Sequence, residues 1–253
     1  MTTETRFAPP SDLVWPKYVK SWLGDRINVI DRHGFDESQL GTQWWDRNLD
    51  RVQGDYTIIL TPQEPDGVAR LTRSDLFRLA QPLANDPEDD APYLTLLWHV
   101  LSWGSGTSRR NNLDRINAFV KGDARGRNVR LLRDATRAAR SGNPREAYGT
   151  LIRRGGGMIP SLGPAFFTKY LYFAGAGTVA NRCLILDARV ATSLHEAGWS
   201  TIPRGSYNWY TDMYAEYVDL LHRWAETITK SGIPTQADEI ERALFTRQNR
   251  PGR

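Results

Sequence analysis

Asn143-Pro144-Arg145-Glu146, Ile159-Pro160-Ser161-Leu162-Gly163 and Pro164-Ala165-Phe166-Phe167-Thr168-Lys169-Tyr170-Leu171-Tyr172-Phe173-Ala174 read in succession as helix start, tight turn and second helix. Asn143 is a capping residue, Pro144 takes the first helical position, and Glu146 completes the cap. A helix is therefore expected from Pro144 to about Arg154, stopped by Gly155-Gly156-Gly157. Gly163 allows a backbone conformation closed to other residues. Pro164 leaves the amides from Ala165 onward free to donate to a phosphate at a positive helix end. An ordinary helical hairpin with a glycine turn has the same pattern, so the turn alone does not fix a role.

Working outward, Leu184-Ile185-Leu186-Asp187-Ala188-Arg189-Val190 is an apolar, strand-like segment that delivers an aspartate where a helix to about Ala197 begins. Asp187 lies 24 residues after Gly163, with slack at Gly175–Asn181. Further on, Tyr207, Tyr210, Tyr214, Tyr217, Leu221, Trp224 and Ile228 recur at helical spacing, predicting one long amphipathic helix closed by Gly232 and Pro234. Upstream, helices are expected over Val129–Arg140, Asn112–Phe119 and the apolar run Tyr93–Trp103, which ends at Gly104-Ser105-Gly106. Ser74 can cap a helix through about Ala84, followed by an acidic loop from Asn85 to Asp90. Tyr56–Leu60 is the one clear strand, residues 61–67 break the chain, and residues 1–20 read as a loose arm. The fold is mainly α with a small N-terminal α/β element, divided into residues 1–70 and a helical domain over 71–253.

The composition of the 253 residues, 40% hydrophobic and 25% charged, is that of a soluble globular chain. No apolar run approaches the roughly 18 residues of a membrane span, and Met1–Pro10 lacks the apolar core of a signal peptide. One cysteine, Cys183, excludes an intrachain disulfide and a cysteine zinc cluster, and favours the cytoplasm. His99, His195 and His222 form no metal-ligand pattern, so no metal or cofactor is expected. Basic residues cluster: Gly104 to Arg154 holds 12 arginines and one lysine against four acids, a local balance of +9 in a chain of net charge +4. Such a block suits a polyanion partner, and an arginine-rich solvated face explains it equally well.

Two side chains stand out chemically. Lys169 sits among Phe166, Phe167, Tyr170, Leu171, Tyr172 and Phe173, and an amine in so apolar a helix is costly unless paired or used. Desolvation favours the neutral, nucleophilic amine, and a structural lysine paired with an acid is the competing reading. Asp187 is either a plain N-cap or a fixed carboxylate for acid–base work, and the two roles are compatible. A third feature, Arg109-Arg110-Asn111-Asn112-Leu113-Asp114-Arg115-Ile116, follows the apolar helix as a basic, asparagine-rich turn.

In that order, the three segments resemble the helix-hairpin-helix DNA glycosylase superfamily, in its oxoguanine-glycosylase-like bacterial branch. The resemblance covers about residues 93–225. The hairpin departs from the family pattern at Ser161, where a first glycine is usual, and Ala165 and Arg154 stand where the two familiar lyase lysines would fall. The resemblance implies the glycosylase fold, with a cleft between helical layers and Asp187 stabilising the positive charge that develops on the deoxyribose as the base departs. Asn111 and Asn112 would fill the hole left by a flipped base. Arg109, Arg110, Ser161, Gly163, Ala165 and Arg189 would meet the DNA, and Trp103, Phe166 and Tyr170 would line the base pocket. Lys169 lies 18 residues before Asp187 and one turn deeper than the usual register, so either a water-based reaction leaving an abasic site or a weak lyase step is implied. The expected partner is double-stranded DNA carrying a modified base, bound by a monomer away from membranes. The base is oxidised guanine or a bulky phage base such as glucosylated hydroxymethylcytosine, the latter in antiviral defence. A non-catalytic helix-hairpin-helix DNA-binding module needs only the hairpin and the basic block. An RNA-binding or nuclease domain ranks below both, because no carboxylate cluster for metals is visible.

Overall fold

A computed structural model describes residues 7–24, 34–63, 66–120, 122–153, 156–175, 182–205 and 209–247. Lys121, Arg154, Gly155, the 176–181 stretch and Tyr207, all used above, lie outside the described residues. The chain is mainly helical, as expected. The N-terminal part comprises α1 (Lys17–Gly24), β1 (Gly34–Asp36), α2 (Glu37–Leu40), α3 (Thr42–Leu49), β2 (Thr61–Pro62) and β3 (Ala69–Thr72). The strands form an antiparallel sheet of order β1-β3-β2, with Phe35 opposite Leu71. Directly after β3 come α4 (Arg73–Leu79), a 3₁₀ turn (Gln81–Asn85), α5 (Ala91–Ser105), α6 (Asn112–Asn117) and α7 (Gly122–Arg140). They are followed by α8 (Pro144–Leu151), a ribbon of β4 (Ile152–Arg153) and β5 (Gly156–Gly157), and α9 (Pro164–Ala174). The chain continues through α10 (Ala188–Glu196), α11 (Thr211–Lys230) and α12 (Ala237–Arg247).

Helix α9 is central: it packs on α5, α7 and α8, and Phe167, Tyr170, Leu171 and Phe173 are fully buried. α11 lies against α8 and α12, and α10 also rests on α12. Trp45, Trp98, Trp199 and Trp209 are the largest side chains with no exposure.

Several local expectations are corrected. Tyr56–Leu60 is extended and buries Tyr56 and Ile58, but it is not a strand. Its donors are taken by side chains: Ile58 N–H donates to Asp46 Oδ1 at 2.8 Å, and Ile59 N–H to His99 Nε2 at 3.0 Å. Thr72, not Ser74, caps the helix that follows, because Thr72 and Asp75 close a reciprocal capping box. α7 starts at Gly122, earlier than its apolar period shows. Asn143 does cap α8, with its Oδ1 accepting the Glu146 N–H at 3.1 Å. That helix ends at Leu151, however, because Met158 N–H takes the Leu151 carbonyl at 2.8 Å and turns the chain into the β4–β5 ribbon. The arm is tied down from Phe7 onward: Phe7 stacks on Tyr210 at 5.4 Å, and Trp224 Nε1 donates to the Leu13 carbonyl. α1 and α12 were not anticipated; they pack on each other.

His99 is fully buried, with Nε2 accepting from Ile59 and Nδ1 2.7 Å from the Thr95 carbonyl, so Nδ1 carries the proton. Burial lowers its pKa below 6.5. An unfolded chain binds the proton that the folded one refuses, so this stability is present above pH 6.5 and drains away as pH falls, at up to about 1.4 kcal/mol per unit. Urea melts of wild type and His99→Gln across pH 5–7 should show the variant with the shallower acid slope. Equal slopes would mean that His99 is not the group responsible.

Candidate active site

The extended segment before α10 is the positioning device. Leu184, Ile185 and Leu186 are buried without a strand partner among the described residues, and hydroxyls serve their backbone instead. Tyr214 OH accepts the Leu184 N–H at 3.1 Å and donates to the Leu184 carbonyl at 2.8 Å. Tyr217 OH donates to the Ile185 carbonyl at 2.6 Å, and Thr168 Oγ1 accepts the Leu186 N–H at 3.2 Å. Asp187 follows with φ −131° and ψ 178°, and its Oδ1 accepts the N–H groups of Arg189 at 3.0 Å and Val190 at 3.2 Å. Oδ1 therefore caps α10, while Oδ2 stands 3.5 Å from Lys169 Nζ.

Lys169 is buried, and its amine also donates to the Ala165 carbonyl at 2.8 Å, one turn back on α9. Gly104 on α5 makes room for the lysine stem: a Cβ there would lie 3.0 Å from Lys169 Cδ. Asp187 and Lys169 both line a cavity of about 580 Å³. Trp103 and Arg189 line it too, together with Phe35 and Gln39 from the N-terminal element and Arg73, Glu241, Arg242 and Phe245. Trp103 stands edge-on to Phe35 at 6.2 Å and to Phe173 at 5.6 Å. Arg189 is exposed, its guanidinium 4.8 Å from the Phe245 ring centre.

A second cavity of about 410 Å³ runs beside the first, between the asparagine turn and the hairpin. Arg110, Asn111, Ser161, Gly163, Ala165 and Phe166 line it. Arg115 clamps its two sides: Nε donates to the Ser161 carbonyl at 2.9 Å, Nη1 donates to Asn112 Oδ1, and the guanidinium lies 3.8 Å from the Phe166 ring centre. Burial pushes the Arg115 guanidinium down to about 10.

Four assignments change here. Tyr170 lines neither cavity; it is fully buried, and its hydroxyl pairs with Thr136 Oγ1 at 3.0 Å inside the α7–α9 packing. Phe166 faces the groove and supports Arg115 rather than lining the larger cavity. Asn112 is fully buried, its amide donating to Ser105 Oγ at 3.1 Å and the Ser108 carbonyl at 3.2 Å, so Asn111 is the exposed asparagine and the residue at the N-cap of α6. Gly163, with φ −82° and ψ 175°, has a backbone open to any residue, and the left-handed residue of the turn is Ser161 at φ 59°. A Cβ on Gly163 would meet nothing within 4 Å, so neither backbone nor packing calls for glycine there and the space lies open to a ligand's approach. Gly157 is the glycine the hairpin itself requires, since a Cβ there would lie 1.9 Å from the Leu162 carbonyl oxygen.

The basic block divides. The acidic loop holds three arginines of α7: Asp86 pairs with Arg137 at 2.7 Å, and Asp90 with Arg125 at 3.3 Å and Arg133 at 3.5 Å. Arg145 pairs with Asp212, and Arg140 donates to the Ala174 carbonyl at 2.8 Å. Arg109 is half-buried over Trp44 at 5.2 Å and against Gly41, so it anchors the asparagine turn to the N-terminal element; Arg110 is exposed. Sequence reasoning missed Phe35, Arg73, Glu241, Arg242 and Phe245. The available signal was Glu241, which shares a helical face with Ala237, Ile240 and Leu244 and so occupies a core position as a charged residue.

Among the described residues no group of three or more metal-ligating side chains is present, and no helix is long and apolar enough to cross a membrane. A family model described as "Putative 8-oxoguanine DNA glycosylase OGG-like protein" matches residues 30–245. No curated protein and no solved structure matches the chain.

Left-handed backbone costs a residue with a Cβ about 1–2 kcal/mol, partly offset in any glycine replacement by about 0.5–1 kcal/mol of extra unfolded-state entropy. Ser161→Gly should therefore stabilise the chain by about 0.5–1 kcal/mol, read as a higher urea midpoint at unchanged slope. A lower midpoint would show that the serine side chain contributes more than its backbone costs.

Proposed function

Because the chain belongs to the family of 8-oxoguanine DNA glycosylase OGG-like proteins, we propose that it extrudes a modified base from duplex DNA and hydrolyses the N-glycosidic bond, leaving an abasic site. The observation that carries this reading is the single cavity wall on which Asp187 and Lys169 meet, next to the groove between hairpin and asparagine turn. A module that only bound DNA would have no use for a carboxylate and an amine on the wall of a base-sized cavity. In this reading the amides at the start of α9 and exposed Arg110 hold phosphates, and Asn111 enters the space vacated by the base. The base lies in the cavity with Trp103 in its wall. As the C1′–N bond breaks, its electron pair leaves with the base. The Asp187 carboxylate then stabilises the positive sugar and takes the proton of the attacking water.

Lys169 is read here as a positioning residue. Its amine is engaged by the Ala165 carbonyl and by Asp187, which fixes the carboxylate oxygen that does not cap α10. The division at residue 70 and action as a cytoplasmic monomer belong to the same proposal. Oxidised guanine is the substrate suggested by the family's description. The cavity volume favours a second reading as well: about 580 Å³ falls within the ~300–1,000 Å³ typical of pockets for drug-sized ligands, which leaves room for a sugar-bearing phage base such as glucosylated hydroxymethylcytosine and a role in antiviral defence.

Asp187→Asn should lower base release by roughly 10²–10⁴-fold while DNA affinity stays near wild type. Asparagine keeps the cap of α10 but leaves the buried Lys169 amine without its carboxylate, so thermal stability should fall as well. Release assays on duplexes with oxidised guanine and with phage-modified cytosine check this, and near-normal release would reduce Asp187 to a cap. Borohydride trapping examines the amine separately. The expected result is no covalent enzyme–DNA adduct and strand scission only after alkali. A strong adduct that disappears in Lys169→Gln would make Lys169 the nucleophile.

A further inference from the structure

We infer that Arg73, held by Glu241 at the floor of the cavity, recognises a carbonyl oxygen conjugated with the glycosidic nitrogen and stabilises that oxygen as the base departs as an anion; this rests on reading the cavity as the base pocket. Arg73 and Glu241 are both 1% exposed, yet both border the cavity. Arg73 Nη2 donates to Glu241 Oε2 at 3.3 Å and Nη1 to Tyr172 OH at 3.3 Å. The guanidinium is further fixed near the Trp103 and Tyr172 rings, at 5.5 and 5.3 Å from their centres. Its Nε–H has no hydrogen-bond partner among the described residues. A buried orphan donor on an otherwise immobilised cation is costly, and an acceptor brought by a ligand removes that cost.

The charge of the cavity points the same way. Among the described residues that line it, Arg73, Lys169, Arg189 and Arg242 face two acids, Asp187 and Glu241. That cationic excess opposes the charge on a sugar cation and favours the charge on a departing base. When the C1′–N bond breaks, the electron pair delocalises from the ring nitrogen onto the conjugated carbonyl oxygen, where Arg73 donates. Water supplies hydroxide to C1′ and its proton passes to Asp187. The substrate class is thus a base with such a carbonyl, O2 of a pyrimidine or O8 of an 8-oxopurine. Adenine has none. Glu241 acts through Arg73 and is a positioning residue.

Adenine and 8-oxoadenine present the same ring system and differ at C8, where the latter has its carbonyl, and at N7, which is protonated in the latter. Calorimetric titration of both into the full chain and into an Arg73 variant therefore tests the assignment without requiring catalysis. Wild type should bind 8-oxoadenine roughly 10- to 100-fold more tightly, the span that a hydrogen bond to a charged group supplies. Arg73→Lys, which keeps the charge but loses the planar fork, should bind the two bases with equal affinity. Equal affinities in wild type, no measurable binding of either base, or a preference that survives in Arg73→Lys would overturn the proposal. The wild-type comparison stands even if the variant does not fold. Base release from duplexes without a carbonyl preference sinks the floor assignment alone, whereas a carbonyl preference without release from any duplex sinks the excision reading alone.

Discussion

Backbone amides and carbonyls buried away from water must find partners, and the segment from Leu184 to Asp187 finds them on hydroxyls rather than on another strand. Tyr214 and Tyr217 reach it from α11 and Thr168 from α9, so three side chains from two helices fix the three consecutive residues that lead into Asp187. The tyrosines are themselves packed without slack: Tyr214 stacks on Tyr148 at 4.4 Å, and Tyr148 meets Phe167 edge-on at 4.9 Å. The carboxylate at the end of the segment therefore inherits the rigidity of the aromatic core. A strand partner would satisfy the same backbone, but it would also cover the face on which Asp187 meets the cavity.

Charge is organised by the same economy of placement. The acidic loop before α5 neutralises three of the six arginines of α7, which lowers the pull of that basic helix on polyanions relative to the groove. What remains exposed and cationic near the groove is concentrated at the asparagine turn, where Arg115 has already joined turn and hairpin through the Ser161 carbonyl. That bond also explains why a serine can hold φ 59°: its carbonyl is anchored by a buried guanidinium, and the hairpin keeps the left-handed turn that a glycine would adopt freely.

The helical hairpin, the cap at Asn143 and the aspartate opening α10 were legible in the sequence because their signals are local: a cap, a proline and a glycine at fixed offsets. The family was legible for the same reason. Tyr56–Leu60 misled because alternating burial is what a strand and an extended segment pinned by Asp46 and His99 share; only the hydrogen-bond partners differ, and these come from 12 and 40 residues away. The basic block misled because net charge does not reveal pairing with a loop 35 to 51 residues upstream. Asn111 and Asn112 look alike on paper, yet one is exposed and the other fully buried, a difference set by Ser105 at the end of α5. The cavity floor was illegible because Arg73 and Glu241 are 168 residues apart and come together only when α12 closes on the rest of the fold.

The position of Lys169 follows from these constraints. Near the start of α9, a lysine at position 165 would stand at the mouth of the groove, where the α9 amides face an incoming phosphate. One turn deeper, the amine finds the Ala165 carbonyl on its own helix and Asp187 across the cavity, and Gly104 clears the path of its stem. An amine so placed orients one oxygen of the carboxylate, while the other is committed to the amides of α10. The two oxygens of Asp187 thus have separate duties. A carboxylate that already has its cap, its ion pair and its orientation before substrate arrives needs little reorganisation when positive charge appears on a sugar beside it, and preorganisation of that kind is where electrostatic stabilisation of a transition state originates.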